Sequence, residues 1–239
     1  MAMLARSFAV QGSFNYRTLI GAGFAFVVLP ALRRTFQDRP LELEEAVRRH
    51  QEPFNSHPYL VGVAAGAVVR LEQDGAPAPV LERFKSAIRG SLGSIGDALF
   101  WAGFRPACVL LALVLVSSGV PFWLAILTFL VLYNTAHVST RAWGFRLGLQ
   151  HGASVAASLR VSPLVRAWRA SAVTGAFLLG TLSLLVAAGR LTGEPGPLST
   201  LAATIAVGAG IVLGPVIRLP AVIILALLVI AGVVRGVLS

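Results

Sequence analysis

At 239 residues, with 56% hydrophobic side chains and a mean hydropathy of +0.79, the chain is too apolar for an ordinary water-soluble domain and has the balance of a polytopic membrane protein. A net charge of +10 is compatible with a nucleic-acid surface, but membrane topology explains it better, because the basic residues flank or separate apolar stretches and do not form one polar face with interleaved aromatics. A single cysteine, Cys108, excludes an internal disulfide framework and a cysteine metal cluster, and reads as a small buried filler.

Charge divides the chain. Residues 1–105 hold twelve of the twenty Lys and Arg and nine of the ten acids, and are expected to form an amphipathic, peripheral part on the membrane surface. The apolar stretch from Leu19 to Leu32 ends at Pro30 and Arg33-Arg34 without a small-residue cleavage site, so it is not read as a signal peptide. Pro40 to His50, PLELEEAVRRH, predicts a short helix that begins with acids and ends with bases, matching its dipole. Asp74 to Pro79, DGAPAP, predicts a connector. Leu81, Phe84 and Ile88 then recur on one helical face with Arg83, Lys85 and Arg89 off it, which suits a helix lying in the membrane interface; a soluble helix on a small core is the alternative.

Residues 106–239 are expected to be the transmembrane part. Between Arg105 and Arg141 no Lys, Arg, Asp or Glu occurs, whereas one crossing needs about 20 residues. Ser117 to Pro121 is a turn signal in the middle, so residues 106–133 predict a re-entrant or broken helical hairpin. The arginine-bearing segment 134–171 is expected in the cytoplasm by the positive-inside rule, and full spans are expected at 172–189, 200–217 and 219–234. The fold expected is all-α.

The segment from Gly90 to Pro106, GSLGSIGDALFWAGFRP, carries three evenly spaced glycines and the last acid before Glu194. It is neither a dinucleotide fingerprint nor a phosphate loop, and no HExxH or GxSxG occurs anywhere. No catalytic group, cofactor or metal is expected. His50 and His57 sit seven apart, but Pro53 and Pro58 break any helix that would pair them on a metal, and structural hydrogen bonding is the expected role.

Three ordered motifs together resemble a known family. RSFAVQGSFNYRTLIGAGFAFVVLPALRR at 6–34 is similar to the opening block of the IID membrane subunits of the mannose, fructose and sorbose branch of the bacterial sugar phosphotransferase system. RRHQEPFNSHPYLVG at 48–62 and the Gly90 motif continue the likeness, which spans nearly the whole chain. The chain departs from the pattern at Leu92 or its neighbour, where the family has proline, and at Ala98, where it has serine.

The resemblance implies a multi-pass protein of the bacterial inner (cytoplasmic) membrane that pairs with a IIC membrane subunit, commonly as a trimer of IIC–IID heterodimers. Together they would form the translocation path for a hexose, phosphorylated at its 6-hydroxyl by a phosphohistidine on a IIB partner supplied by IIA. This subunit itself would be non-catalytic. In that picture Asp97 lines or braces the sugar path with Trp101 offering a ring face, or else caps a helix starting near Ala98, leaving Gly93 and Gly96 for close packing. Asn55 and His57 either donate to the sugar or hold their loop, and Arg105 anchors a helix end in the headgroups. A non-transporting scaffold or regulatory subunit that keeps the same fold is the alternative.

Overall fold

A computed structural model describes residues 1–187, and these are helical apart from turns and two isolated bridges, Asn15 to Leu19 and Leu19 to Phe54. The chain divides into two compact units.

The first unit comprises Met1–Asp97 with Ala136–Ser162. A short helix, α1 (Ala2–Ser7), leads into a turn organised by Asn15. The Asn15 carboxamide oxygen accepts the amides of Arg17 and Thr18 at 3.0 and 2.9 Å, while its nitrogen donates to Ser13 O and Thr18 Oγ1. The Ile20 amide then donates to Phe54 O, which ties this turn to the loop that follows the third helix. Helix α2 (Gly21–Thr35) precedes α3 (Pro40–Gln51), which has proline in its first turn and Arg48, Arg49 and His50 in its last, as the charge order predicts.

Helix α4 (Val61–Gln73) is apolar on every side from Val61 to Val69, and these residues are all buried, so it forms the centre of this unit. Helix α5 (Ala78–Gly96) follows a turn at Gly75 and buries Leu81, Phe84, Ile88 and Leu92. That stripe, expected to lie in a membrane interface, packs against protein instead. Arg83 and Arg89 are exposed, but Lys85 is buried and donates to Arg49 O at 2.7 Å.

The second unit comprises Ala98–Thr135 with the described residues from Pro163 to Ala187. Here α6 (Arg105–Ser117) packs along the helix Leu164–Ala187. Leu110, Leu178 and Leu179 form the core, with Leu111, Val114 and Leu182 against it. The long helix α7 (Phe122–His151) contributes its first half to this unit and its second half to the first. A 3-10 turn at Gly152–Ser154 leads to α8 (Val155–Arg160), and the helix Leu164–Ala187 is therefore α9.

Helix boundaries differ from the sequence expectation in three places. Helix α5, a π-helical segment at Asp97–Phe104 and α6 run on without a break, so Ala78–Ser117 is one helical stretch of 40 residues and the division at 105/106 falls inside it. The turn at Ser118–Pro121 is present, but the arms it joins are stretches of 40 and 39 residues (Ala78–Ser117 and Phe122–Arg160), each longer than the roughly 20 residues of one crossing. Segment 134–171 is almost entirely helix, and the third long apolar helix, Leu164–Val186, begins before residue 172. The physical reason is shared: charge marks topology, whereas arginine is a good helix former and does not end a helix. Three helices among the described residues are thus long and apolar enough to cross a membrane. The spans expected at 200–217 and 219–234 lie outside the described residues.

Candidate functional site

The loop between α3 and α4, residues 52–60, is held at its base by a buried ion cluster. The last turn of α3 presents Arg49 and His50 to Glu72, near the end of α4. Arg49 donates through Nε to Glu72 Oε1 at 2.8 Å and through an Nη to Oε2 at 3.0 Å, and His50 Nε2 lies 2.7 Å from Oε1. Burial alone would raise the Glu72 carboxyl, but the hydrogen bonds from His50 and Arg49 and the charge of Arg49 reverse this and hold it at about 2. The His50 ring is fully buried, and burial lowers its pKa against the pull of Glu72. It is therefore neutral near pH 7 and donates its Nε2 proton to the carboxylate. Helices α3 and α4 are cross-linked at this point.

The FNSHPY loop that follows, residues 54–59, is exposed only at Asn55. Phe54 is fully buried with its ring 4.5 Å from that of Phe24, Asn55 is exposed, and His57 is buried. The Tyr59 amide donates to His57 Nδ1 at 3.2 Å, which places the imidazole proton on Nε2. Burial, and then the charge of Arg141, lower the His57 pKa to about 4, so this ring is also neutral.

Tyr59 is the hub of an aromatic and cationic cluster. Its ring meets His57 edge-on, with centroids 4.9 Å apart, and stacks on His137 of α7 at 4.7 Å. One turn further along α7, the Arg141 guanidinium lies between the rings of Phe8 and Tyr59, at 4.7 and 5.0 Å. Its Nη1 donates to Ser7 O at 2.7 Å and to Ser7 Oγ at 3.1 Å. Helix α7 is seated here because two G-xxx-G faces meet. A Cβ on Gly62 of α4 would fall 2.9 Å from Arg141 O and from the Phe145 ring, and one on Gly66 would fall 2.8 Å from the Leu149 amide. Gly144 and Gly148 of α7 face Val63 and Gly66 in return.

The predicted site residues divide among these features. Gly96 packs directly on the His57 ring, whereas Gly90 and Gly93 have open space around them, so close packing belongs to Gly96 alone of the three. Asp97 is exposed and heads the π-helical segment within a continuous helix. It does not cap a helix, because the preceding residues are already helical and satisfy the amides a cap would serve. Trp101 lies half-buried in that segment with the Arg105 guanidinium 4.7 Å from its ring centre. Arg105 sits inside the helical stretch and not at an end, so it stacks on Trp101 where anchoring of a helix terminus was expected. Among the described residues no group of three or more His, Cys, Asp or Glu is placed to hold a metal ion.

Of these residues Asp97 and Asn55 are exposed, whereas His57, His137 and Arg141 are buried. The family model of the PTS system mannose/fructose/sorbose family IID component matches residues 1–188. The chain belongs to that family. This IID chain is 29% identical over 182 residues to the mannose-specific EIID component of Escherichia coli (strain K12), covering 74% of this chain and 64% of the relative. It is 26% identical over 186 residues to the fructose permease IID component of Bacillus subtilis (strain 168), covering 76% of this chain and 66% of the relative. The IID chain thus spans about two thirds of the length of these curated relatives. Among solved structures it is similar to a chain in the cryo-EM complex of the mannose transporter ManYZ with microcin E492, at a TM-score of 0.60 and 22% identity, covering 100% of this chain and 95% of that one. At that identity the likeness shows the fold. A second structure, described only as a membrane protein, has a TM-score of 0.64 and 27% identity over 76% of this chain and 67% of its own.

Glu72, Tyr59 and Arg141 are the site residues that sequence reasoning missed. Arg141 was absorbed into a topology signal, and its meeting with Ser7 spans 134 positions. The one usable signal was the pair of G-xxx-G spacings, Gly62 with Gly66 and Gly144 with Gly148, in otherwise apolar sequence.

Proposed function

We propose that this IID chain is one half of a sugar permease of the phosphotransferase system, located in the bacterial inner membrane and paired with a IIC membrane subunit. The pair forms the translocation path for a hexose, which a IIB partner, charged by IIA, phosphorylates during uptake. The IID chain carries no phosphoryl group. Asp97 and Trp101 contribute to the path, and His57 and Asn55 shape the loop beside Asp97. The assembly is a trimer of IIC–IID heterodimers.

The observation that carries this reading is the family match across residues 1–188. It is supported by three helices of spanning length and by the exposed carboxylate in a chain poor in acids. A polar group at that position in a membrane protein is retained for a ligand or a partner more often than for stability.

The test is hexose uptake in cells that carry IIA, IIB and IIC proteins with and without this chain. Uptake that requires the chain supports the proposal. Full uptake by the IIC protein without it rejects the proposal and leaves a scaffold role.

A further inference from the structure

We propose that Arg141 is a positioning residue for the turn that carries Asp97, acting through Tyr59 and His57. The proposal rests on the reading of Asp97 as part of the sugar path, and its test separates failure of the one from failure of the other.

Arg141 is an expensive residue to place where it is. It is 4% exposed, and among the described residues no carboxylate forms an ion pair with it and its Nε has no hydrogen-bond partner. A buried guanidinium without a counter-ion costs stability that an aliphatic side chain of similar volume would not. What the guanidinium does that a methionine would not is hold three things in one geometry. It is gripped by the faces of Phe8 and Tyr59, and it donates two hydrogen bonds to Ser7.

The base of this side chain is itself fixed. Arg141 O lies against Gly62, at the G-xxx-G crossing of α4 and α7, so the guanidinium is delivered from a backbone with little freedom to shift. His137, one turn earlier on the same helix, stacks on the Tyr59 ring itself, so α7 sets that ring through two side chains.

Tyr59 passes its position to His57 in two ways. Its ring packs edge-on to the imidazole, and its amide hydrogen-bonds to Nδ1. The imidazole in turn is the floor on which Gly96 rests, with no space left for even a methyl group. A tilt of His57 therefore displaces Gly96, and Asp97 is the next residue. The relay from Ser7 and Phe8 through Arg141, Tyr59 and His57 to Gly96 lies wholly within the first unit.

The experiment measures hexose uptake by the assembled complex with its IIA, IIB and IIC partners, separating the apparent KM from the maximal rate. Arg141→Met is expected to assemble and to raise KM about tenfold or more, since a small misplacement of a ligand-facing group has effects of that size. Arg141→Lys restores part of the loss, and Tyr59→Leu reproduces it from the other end of the contact. The variant Arg141→Met combined with Asp97→Asn is no worse than Asp97→Asn alone, because both act on one group.

An unchanged KM in assembled Arg141→Met, or losses that multiply in the double variant, would overturn the proposal while leaving the reading of Asp97 intact. Normal transport by Asp97→Asn would remove that reading and this proposal with it. If Arg141→Met does not assemble, Arg141→Lys and Tyr59→Leu carry the same comparison.

Discussion

The ring of His57 lies directly under Gly96, so the backbone just before Asp97 rests on an imidazole from the loop between α3 and α4. Replacing Gly96 with alanine forces a methyl group into that ring. Overpacking of this kind costs about 1–3 kcal/mol. Gly90 and Gly93, spaced identically but surrounded by open space, are expected to behave oppositely: alanine there gains up to about 1 kcal/mol of helix propensity. Thermal unfolding of the three purified variants checks the contrast, and equal midpoints for Gly96→Ala and Gly93→Ala would remove the packing argument.

Glu72 holds two helices through three hydrogen bonds with its side chain 3% exposed. Glu72→Ala leaves Arg49 and His50 facing a void, and loss of one partner of a buried pair costs about 3–5 kcal/mol. The exposed pair Arg39 and Glu42 is the comparison, since both side chains are about half accessible. Glu42→Ala is expected to cost under about 1 kcal/mol. Denaturant unfolding of both variants in the same detergent measures the difference.

Stability should fall on acidification, in two stages. His50 and His57 are neutral in the fold, with pKa values lowered from the ordinary 6.5, in the case of His57 to about 4. Their contribution is complete above about pH 6.5 and is lost as the pH falls below it, for His57 down to about 4, because the unfolded chain takes up protons that the fold refuses. His57 alone accounts for about 3 kcal/mol over that range. Glu72, held at about 2 against an ordinary 4.5, adds a second loss that begins near pH 4.5 and continues to about 2. A melting temperature constant between pH 7 and pH 4.5 would contradict this account.

The crossing of α4 and α7 depends on four residues without side chains. Gly66→Leu and Gly148→Leu are each expected to separate the helices and to cost about 1–3 kcal/mol or more. Leucine at Gly75 meets open space but must adopt a left-handed backbone (φ 71), so its cost is conformational and local. Cysteine cross-linking between Val63 and positions on α7 distinguishes the two, because only the crossing variants are expected to lose the cross-link.

Much of this arrangement was legible in the sequence, and the reasons are local. The helix from Pro40 announced itself through proline, early acids and late bases, and the turn at Ser118–Pro121 through its residue types. The stripe of Leu81, Phe84 and Ile88 was visible as a stripe, but periodicity says only that a face is buried, not whether lipid or protein covers it. Protein covers it here, and the buried Lys85 on the same helix finds a carbonyl of α3. The boundaries at 105/106 and 133/134 fall inside helices because charge marks topology, and arginine does not stop a helix that tertiary contacts continue. The Tyr59 cluster was out of reach for a different reason. Its members, Ser7, His57, Tyr59, His137 and Arg141, come from three distant segments, and no one-dimensional pattern joins them.

The central claim is that this chain is an obligatory half of the hexose path. Vesicles containing the purified IIC protein, with and without this chain, can be supplied with phosphorylated IIA and IIB proteins on one side and labelled hexoses on the other. Transport with phosphorylation of the sugar only when both membrane subunits are present is the predicted result. Equal transport by the IIC protein alone, with this chain bound to it but without effect on rate or KM, would contradict the account.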